Sequence, residues 1–316
     1  ISNKIINNKI NALKQFNSTL WQSNDTKKNQ AYLLSKIFGF DVSEASLNTL
    51  EKGFINEYND IFYSLEKFLR IDTHQISKIT NEIISQARAA FMAAREIKDH
   101  QTLFVGIGLP CLVAHLSQSV LSPNCHLVFE SGLMEVACET QPLSTASANI
   151  AKTAKMHGSM LDVFSMLQRG EIDVGLLSAA QIDIHGHLNS SRLTTKSGKT
   201  LSLPGSGGAH DITVLANKVI AVMPSDPRRF VNNVDFITSP NSPYGNREGV
   251  AGVAMPDAYF SFDNGKPILQ KIYSDRNADS INESLNWDSQ ISDSLEIVSP
   301  PEDDLIERAG IFLKNS

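Results

Sequence analysis

Apolar positions in this chain follow two periods, and the change from one to the other divides it. Up to about residue 73 the spacing is helical and the surroundings are polar. In Asp60–Arg70, the residues Ile61, Leu65, Phe68 and Leu69 share one helical face. Ala31–Phe40 is a second short amphipathic segment, with Gly39 near its end as a stop signal. A long helix is predicted from Thr73 to about Lys98, on the spacing of Ile76, Ile79, Ile83, Ala87, Ala90 and Ala94. Beyond His100 the pattern turns to short apolar runs that read as buried strands: Leu103–Gly106, Leu127–Phe129, Val174–Leu177, Val219–Val222 and Phe236–Ile237. Helical spacing separates several of them, at Leu112–Val120 and Met160–Arg169. The stretch from Ser274 to Ser316 is polar and reads as loop, closing with a helix near Asp303–Lys314.

Strands alternating with helices predict an α/β fold: an open, mostly parallel sheet covered by helices. Residues 1–73 are expected to form a helical N-terminal extension, docked through the face of Ile61, Leu65, Phe68 and Leu69. Residues 74–316 form the α/β domain. Short helices are marginal in water, so docking is what would stabilise the extension.

Composition narrows the function. The chain has 316 residues, 41% hydrophobic and 20% charged, ordinary values for a globular protein with a sizeable core. Its formal net charge of −6 argues against nucleic-acid binding through a basic field. Three cysteines, Cys111, Cys125 and Cys138, are too few for a disulfide framework and fit a reducing cytoplasm. No apolar run reaches the roughly 20 residues of a membrane helix. Ile1–Lys14 lacks the apolar centre of a signal peptide.

The candidate chemistry is concentrated in four places. In Leu127-Val128-Phe129-Glu130-Ser131-Gly132 an apolar strand stops at a carboxylate followed by two small residues. Small neighbours let another molecule reach the carboxylate, which makes Glu130 a candidate nucleophile or base, the plain alternative being a strand-ending glutamate that caps the next helix or points to water. Gly106-Ile107-Gly108-Leu109-Pro110 is a strand-to-helix turn able to aim N–H groups at an anion, but it lacks the dinucleotide fingerprint. Gly205-Ser206-Gly207-Gly208-Ala209 combines conformational freedom with an absence of bulk, suited to wrapping an acyl group or a pantetheine arm. In Gln181–Ser190, the amides of Gln181 and Asn189 are candidate oxyanion donors. His185 and His187 share an H-x-H spacing with no evident third ligand, so they read as turn histidines and no metal site is expected.

Taken in order, these pieces resemble the β subunit of class I coenzyme A transferases, the glutaconate CoA-transferase type in particular. The likeness runs from about residue 74 to near the C-terminus. It includes Gly106–Pro110, Pro123–His126 leading into Glu130-Ser131-Gly132-Leu133-Met134, and Ala180-Gln181-Ile182-Asp183 with Gly186 and Asn189. It continues through Gly205–Ala209, Arg228-Arg229-Phe230 and Val234–Pro240. The resemblance implies that Glu130 attacks an acyl-CoA thioester and passes through an anhydride to a glutamyl-CoA thioester, which then gives CoA to a carboxylic acid. It further implies Gln181, Asn189, Gly207, Gly208 and Ala209 around the acyl group and oxyanion. Gly106, Gly108, Ser131 and Gly132 would form the turns toward CoA. Coenzyme A is then a substrate, no cofactor is tightly bound, and an α-type subunit completes the site.

Two features depart from the family pattern. Ser178-Ala179 stands where family members usually carry two glycines, and residues 1–73 have no counterpart in the typical β subunit. The rival readings are an acyl-CoA or ring-opening hydrolase on the same scaffold, and a non-catalytic scaffolding subunit.

Overall fold

The computed structural model describes residues 81–314, except Lys196 and Asn264. The predicted extension over 1–73, its apolar face and the boundary near residue 74 lie outside the described residues. The chain enters through helix α1, residues 81–94. It continues as β1 (Thr102–Val105), α2 (Leu109–Leu116), β2 (His126–Val128), β3 (Leu133–Met134), α3 (Ala148–Thr153), β4 (Met156–His157), α4 (Met160–Arg169) and β5 (Val174–Leu177). Next come β6 (Gln181–Asp183), β7 (Leu188–Asn189), β8 (Arg192–Thr194), β9 (Thr200–Ser202), α5 (Ala209–Leu215), β10 (Lys218–Val222) and β11 (Phe230–Val231). The last elements are β12 (Val250–Ala254), β13 (Ala258–Asp263), β14 (Lys266–Tyr273), α6 (Ala278–Glu283), β15 (Gln290–Val298) and α7 (Asp303–Lys314).

Ten strands form one mixed sheet in the order β15-β14-β13-β12-β10-β5-β1-β2-β3-β4. Its centre, β12-β10-β5-β1-β2, is parallel throughout. Antiparallel strands extend both sides, β13 and β14 beyond β12, and β3 and β4 beyond β2. The outermost strand β15 runs parallel to β14. The central strands read as unbroken apolar runs because both faces are covered. Leu103 and Val105 enter one core with α1, α2 and α7, whereas Phe104 enters the other with α4 and α5. The second core also takes in Ile182, Leu188 and Phe230 from the small sheet β11-β6-β7, and the Trp287 side chain.

Local chemistry sets the helix ends. Ser159 and Asp162 make a reciprocal capping box at the start of α4, and Gly170 closes it in the left-handed region at φ 75°. Arg88 ties α1 to the antiparallel side of the sheet. Its guanidinium donates to both Asp275 carboxylate oxygens at 2.9 and 2.8 Å and, through Nε, to Pro256 O at 2.9 Å. It also lies 4.4 Å from the centre of the Tyr273 ring, whose hydroxyl donates to Arg88 O at 2.8 Å. The Arg88 bonds hold the Asp275 carboxyl below its ordinary range.

Three expectations need correction. Phe236 and Ile237 are not a strand; both are exposed, and the Phe236 ring lies under the Arg192 guanidinium at 4.2 Å. Two apolar residues without alternating neighbours do not fix a ladder, and pairing falls instead to Phe230–Val231 beside β6. The stretch after Ser274 is not mostly loop, because β15 is a nine-residue edge strand. Its exposed polar positions hid it. Helix α2 begins at Leu109 and not Leu112, with Pro110 in its first turn, where the missing N–H has no intrahelical partner to lose.

No described helix is long and apolar enough to cross a membrane. All three cysteines are free and buried. Burial, reinforced by the Asp99 carboxylate, pushes the Cys125 thiol up to about 11 from an ordinary 9.0. The unfolded chain therefore loses this proton first. The stability it contributes is complete below about pH 9 and declines as pH rises toward 11. Urea midpoints are expected to fall over that window, and Cys125→Ala is expected to flatten the fall. Arg88→Ala should lower stability by about 1–3 kcal/mol, measured by urea unfolding, because it leaves the buried Pro256 carbonyl without its donor, whereas the exposed Asp275 carboxylate returns to water.

Candidate active site

Glu130 sits at the tip of a hairpin and not simply at a strand end. Strands β2 and β3 pair through Val128 and Met134. Between them, Gly132 N–H donates to Phe129 O at 3.0 Å and Phe129 N–H donates to Leu133 O at 2.9 Å. Gly132 closes this turn at φ 100°, a conformation open to glycine. A Cβ there would also fall 2.4 Å from Gly158 O, so the backbone just before α4 lies directly against the turn. Gly158 N–H seals the contact by donating to Gly132 O at 2.9 Å. The Ser131 hydroxyl donates to Thr145 O and fastens the outer side.

The glycine loop meets the same carboxylate. A Cβ placed on Gly207 would lie 3.6 Å from Glu130 Oε2, and one on Gly208 would lie 3.5 Å from Glu130 Cδ. The Gly208 position is also crowded by Phe164, whose Cζ would be 2.7 Å from that Cβ. Gly207 is at φ 48°, and Gly208 caps α5 with Ala209 as its first residue. Among the described residues, none donates a hydrogen bond to the half-buried Glu130 carboxylate, and no acceptor takes the Gly207 or Gly208 N–H. A carboxyl group and two backbone donors thus lie close together without a hydrogen-bond partner among the described residues.

Gln181 and Asn189 lie at the base of the ribbon that carries this loop. Both amide hydrogens of Asn189 are already donated, to Gln181 Oε1 at 2.8 Å and Arg192 O at 2.7 Å. Its oxygen accepts from Ser191 and Arg192 N–H at 3.1 and 3.3 Å. Asn189 therefore has no hydrogen left for an oxyanion, and that expected role does not fit it. Gln181 Oε1 also accepts from Asp235 N–H at 3.1 Å, but its amide nitrogen donates to no described residue. The neighbouring Ser190 clasps the loop: Gly205 N–H donates to Ser190 O at 2.9 Å, and the Ser190 hydroxyl donates to Gly205 O at 2.8 Å.

Gly106 and Gly108 follow β1, the strand beside β2. A Cβ on Gly106 would sit 2.8 Å from Leu176 O, to which Gly106 N–H donates at 3.0 Å. Gly108, at φ 87°, opens α2 with free space where a Cβ would be. Ser178, at the carboxyl end of β5, is exposed, whereas Ala179 is buried. The H-x-H pair is held as turn structure, with His187 Nδ1 accepting from Asn241 N–H at 2.8 Å. Among the described residues, no group of three or more His, Cys, Asp or Glu is arranged to hold a metal ion. Phe164 and Ser190 escaped the sequence reading. The glycine pair was the available signal, since residues without side chains imply a bulky neighbour.

The family model for coenzyme A transferase matches residues 86–255, just over half of the chain. The B subunit of the 3-oxoadipate CoA-transferase of Pseudomonas knackmussii is 37% identical over 161 residues, which are 51% of this chain and 60% of that relative. The chain thus spans less than two thirds of that relative's length. The B subunit of the glutaconate CoA-transferase of Acidaminococcus fermentans is 28% identical over 230 residues, covering 67% of this chain and 85% of the relative. The crystal structure of the Acidaminococcus fermentans glutaconate coenzyme A-transferase shares the fold at TM-score 0.63 and 24% identity, covering 72% of this chain and 94% of that one. The AibA/AibB decarboxylase shares it at TM-score 0.62 and 19% identity, covering 73% and 95%.

The crowding at Gly208 gives a direct test. Gly208 has φ −80°, open to any residue, so Gly208→Ala should destabilise by overpacking alone, by about 1–3 kcal/mol. Phe164→Leu removes the ring tip and is expected to recover most of that loss in the double variant, read as a non-additive thermal or urea midpoint.

Proposed function

Because this chain belongs to the coenzyme A transferase family, we propose that it is the β-type, nucleophile-bearing subunit of a CoA-transferase. The observation that carries this is the Glu130 carboxylate, which takes no hydrogen bond from the described residues and is flanked by Gly207 and Gly208. A carboxylate is ionised at neutral pH, so it needs no separate base to act as a nucleophile. One Glu130 oxygen adds to the thioester carbonyl of an acyl-CoA. The C–S bond breaks and CoA leaves as thiolate, giving a mixed anhydride. The thiolate then adds to the glutamyl carbonyl and expels the acyl group as a free carboxylate. The resulting glutamyl-CoA thioester is attacked by the acceptor carboxylate. The same two steps in reverse order yield the new acyl-CoA and restore Glu130.

Each addition places negative charge on a carbonyl oxygen beside Glu130. We assign the N–H groups of Gly207 and Gly208 and the Gln181 amide, which meet no acceptor among the described residues, as the donors for that oxygen. The glycines' lack of bulk leaves room for the thioester, and the Ser190–Gly205 clasp holds the loop in place. Gly106, Gly108, Ser131 and Gly132 shape the turns at the carboxyl ends of β1 and β2, where an open α/β sheet presents its crevice. Ala209 starts the helix that extends the glycine loop.

CoA is a substrate here, and the chemistry requires no tightly held cofactor. The names of the relatives support short carboxylic acids of the 3-oxoadipate, glutaconate and succinate kind as substrates. These relatives are B subunits, which supports an α-type partner completing the site. We place the enzyme in the cytoplasm, where acyl-CoA is available.

The full chain with its partner subunit, incubated with acetyl-CoA, succinyl-CoA or glutaconyl-CoA, is expected to carry CoA on the Glu130 peptide by mass spectrometry. Hydroxylamine should convert that residue to a hydroxamate. Glu130→Gln should lose the adduct and about 10³-fold or more in transfer rate. Near-normal turnover in this variant would defeat the covalent mechanism. Thioester loss without any thioester of the added acceptor would point to a hydrolase instead.

A further inference from the structure

The strategic problem for a glutamyl-CoA thioester is water, and one side chain is placed to deal with it. We propose that Phe164 is the specificity-determining residue that directs this intermediate to a carboxylate and not to water. The inference rests on the reading of Glu130 given above.

Phe164 lies on α4, whose start is closed by the Ser159–Asp162 capping box and tied to the Glu130 hairpin by the Gly158–Gly132 hydrogen bond. Its neighbours Val163 and Leu167 are fully buried, which fixes the helix face toward the sheet. The Phe164 ring meets Phe104 of β1 edge-on, at 6.0 Å between centroids and 80° between planes. The ring remains partly exposed, so it is not simply core. Its free end reaches Gly208: the point where a Gly208 Cβ would stand is 2.7 Å from Phe164 Cζ and 3.5 Å from Glu130 Cδ. Ring edge and carboxyl carbon therefore border the same small volume. Any other residue at 208 would fill it, and glycine leaves it to the ring.

An aromatic wall at that point has a definite chemical effect. In the unwanted reaction, water adds to the glutamyl carbonyl and the C–S bond breaks. CoA leaves with one of the water protons, the other goes to solvent, and the Glu130 carboxylate returns. An attacking water needs hydrogen-bond partners to hold it in line with the carbonyl. The ring provides none, and its volume excludes a water from that side. An acceptor carboxylate brings its own charge and is held by its own substrate contacts. Removing the ring thus favours water without taking away any group that acts on the acceptor.

The test uses the full chain with its partner subunit and the donor, from acetyl-CoA, succinyl-CoA and glutaconyl-CoA, on which wild type forms the adduct. Free thiol release and formation of the acceptor's thioester are measured in the same reaction, with glutaconate or acetate as acceptor. Phe164→Ala is expected to form the adduct and to raise the ratio of hydrolysis to transfer about tenfold or more. Phe164→Leu, which restores most of the volume, should bring the ratio part of the way back. A purely structural role would lower both rates together, in step with the thermal midpoint, and leave the ratio unchanged. That result in both variants would overturn the inference while leaving Glu130 as nucleophile. Should the alanine variant fail to fold, the leucine variant decides alone, with a raised ratio supporting the inference and an unchanged one ending it. A wild-type chain that takes no CoA onto Glu130 from any of the three donors would overturn both readings at once.

Discussion

Backbone must touch backbone, and a loop must touch a carboxylate, for this site to exist. The Glu130 turn lies so close to the chain at Gly158 that a methyl group on Gly132 would overlap the Gly158 carbonyl. The glycine loop lies so close to Glu130 that its side-chain space at Gly208 is shared by the carboxyl carbon and the Phe164 ring. Glycine at these positions costs conformational entropy on folding. The two apolar cores on either face of the sheet offset that cost, and the surrounding bonds remove the remaining freedom. Helix α4 is where it is because Gly158 is tied to Gly132, and Phe164 is where it is because α4 is.

The topology explains why these pieces converge. From β1 the chain goes to β2 on one side, and then returns across to β5 on the other. The connections leaving β1 and β5 therefore diverge, opening a crevice at their carboxyl ends. Gly106 and Ser178 stand at those two ends, and Glu130 follows the next strand over. The small sheet β11-β6-β7 adds a ribbon base from which the glycine loop returns to Glu130.

How much of this was legible depended on how far each signal was local. The bounds of α4 and α7 agree with the sequence to the residue, because caps and amphipathic spacing are written in consecutive positions. The central strands were visible as unbroken apolar runs, a consequence of burial on both faces. By contrast β15, exposed along most of its length, offered no apolar pattern, and Phe236 and Ile237 offered one without a partner strand. Glu130 and the glycine loop stood out as residue types, and their proximity follows only from the fold. The same is true of Asn189. Its amide looks available in the sequence, and only the three-dimensional turn reveals that Gln181 and Arg192 consume it. Phe164 was indistinguishable from any core aromatic until Gly208 was seen beneath its ring tip.

The order of strands also governs how the chain can acquire its shape during synthesis. Strand β1 needs β2 on one edge and β5 on the other, and the latter lies roughly 70 residues later. Strand β5 in turn waits for β10, and β10 for β12. Loop-closure entropy is incurred before each of these distant pairings can repay it. The apolar run at the heart of the final sheet therefore emerges early and stays uncovered longest. Slow translation would lengthen the interval in which these strands are exposed to one another between chains.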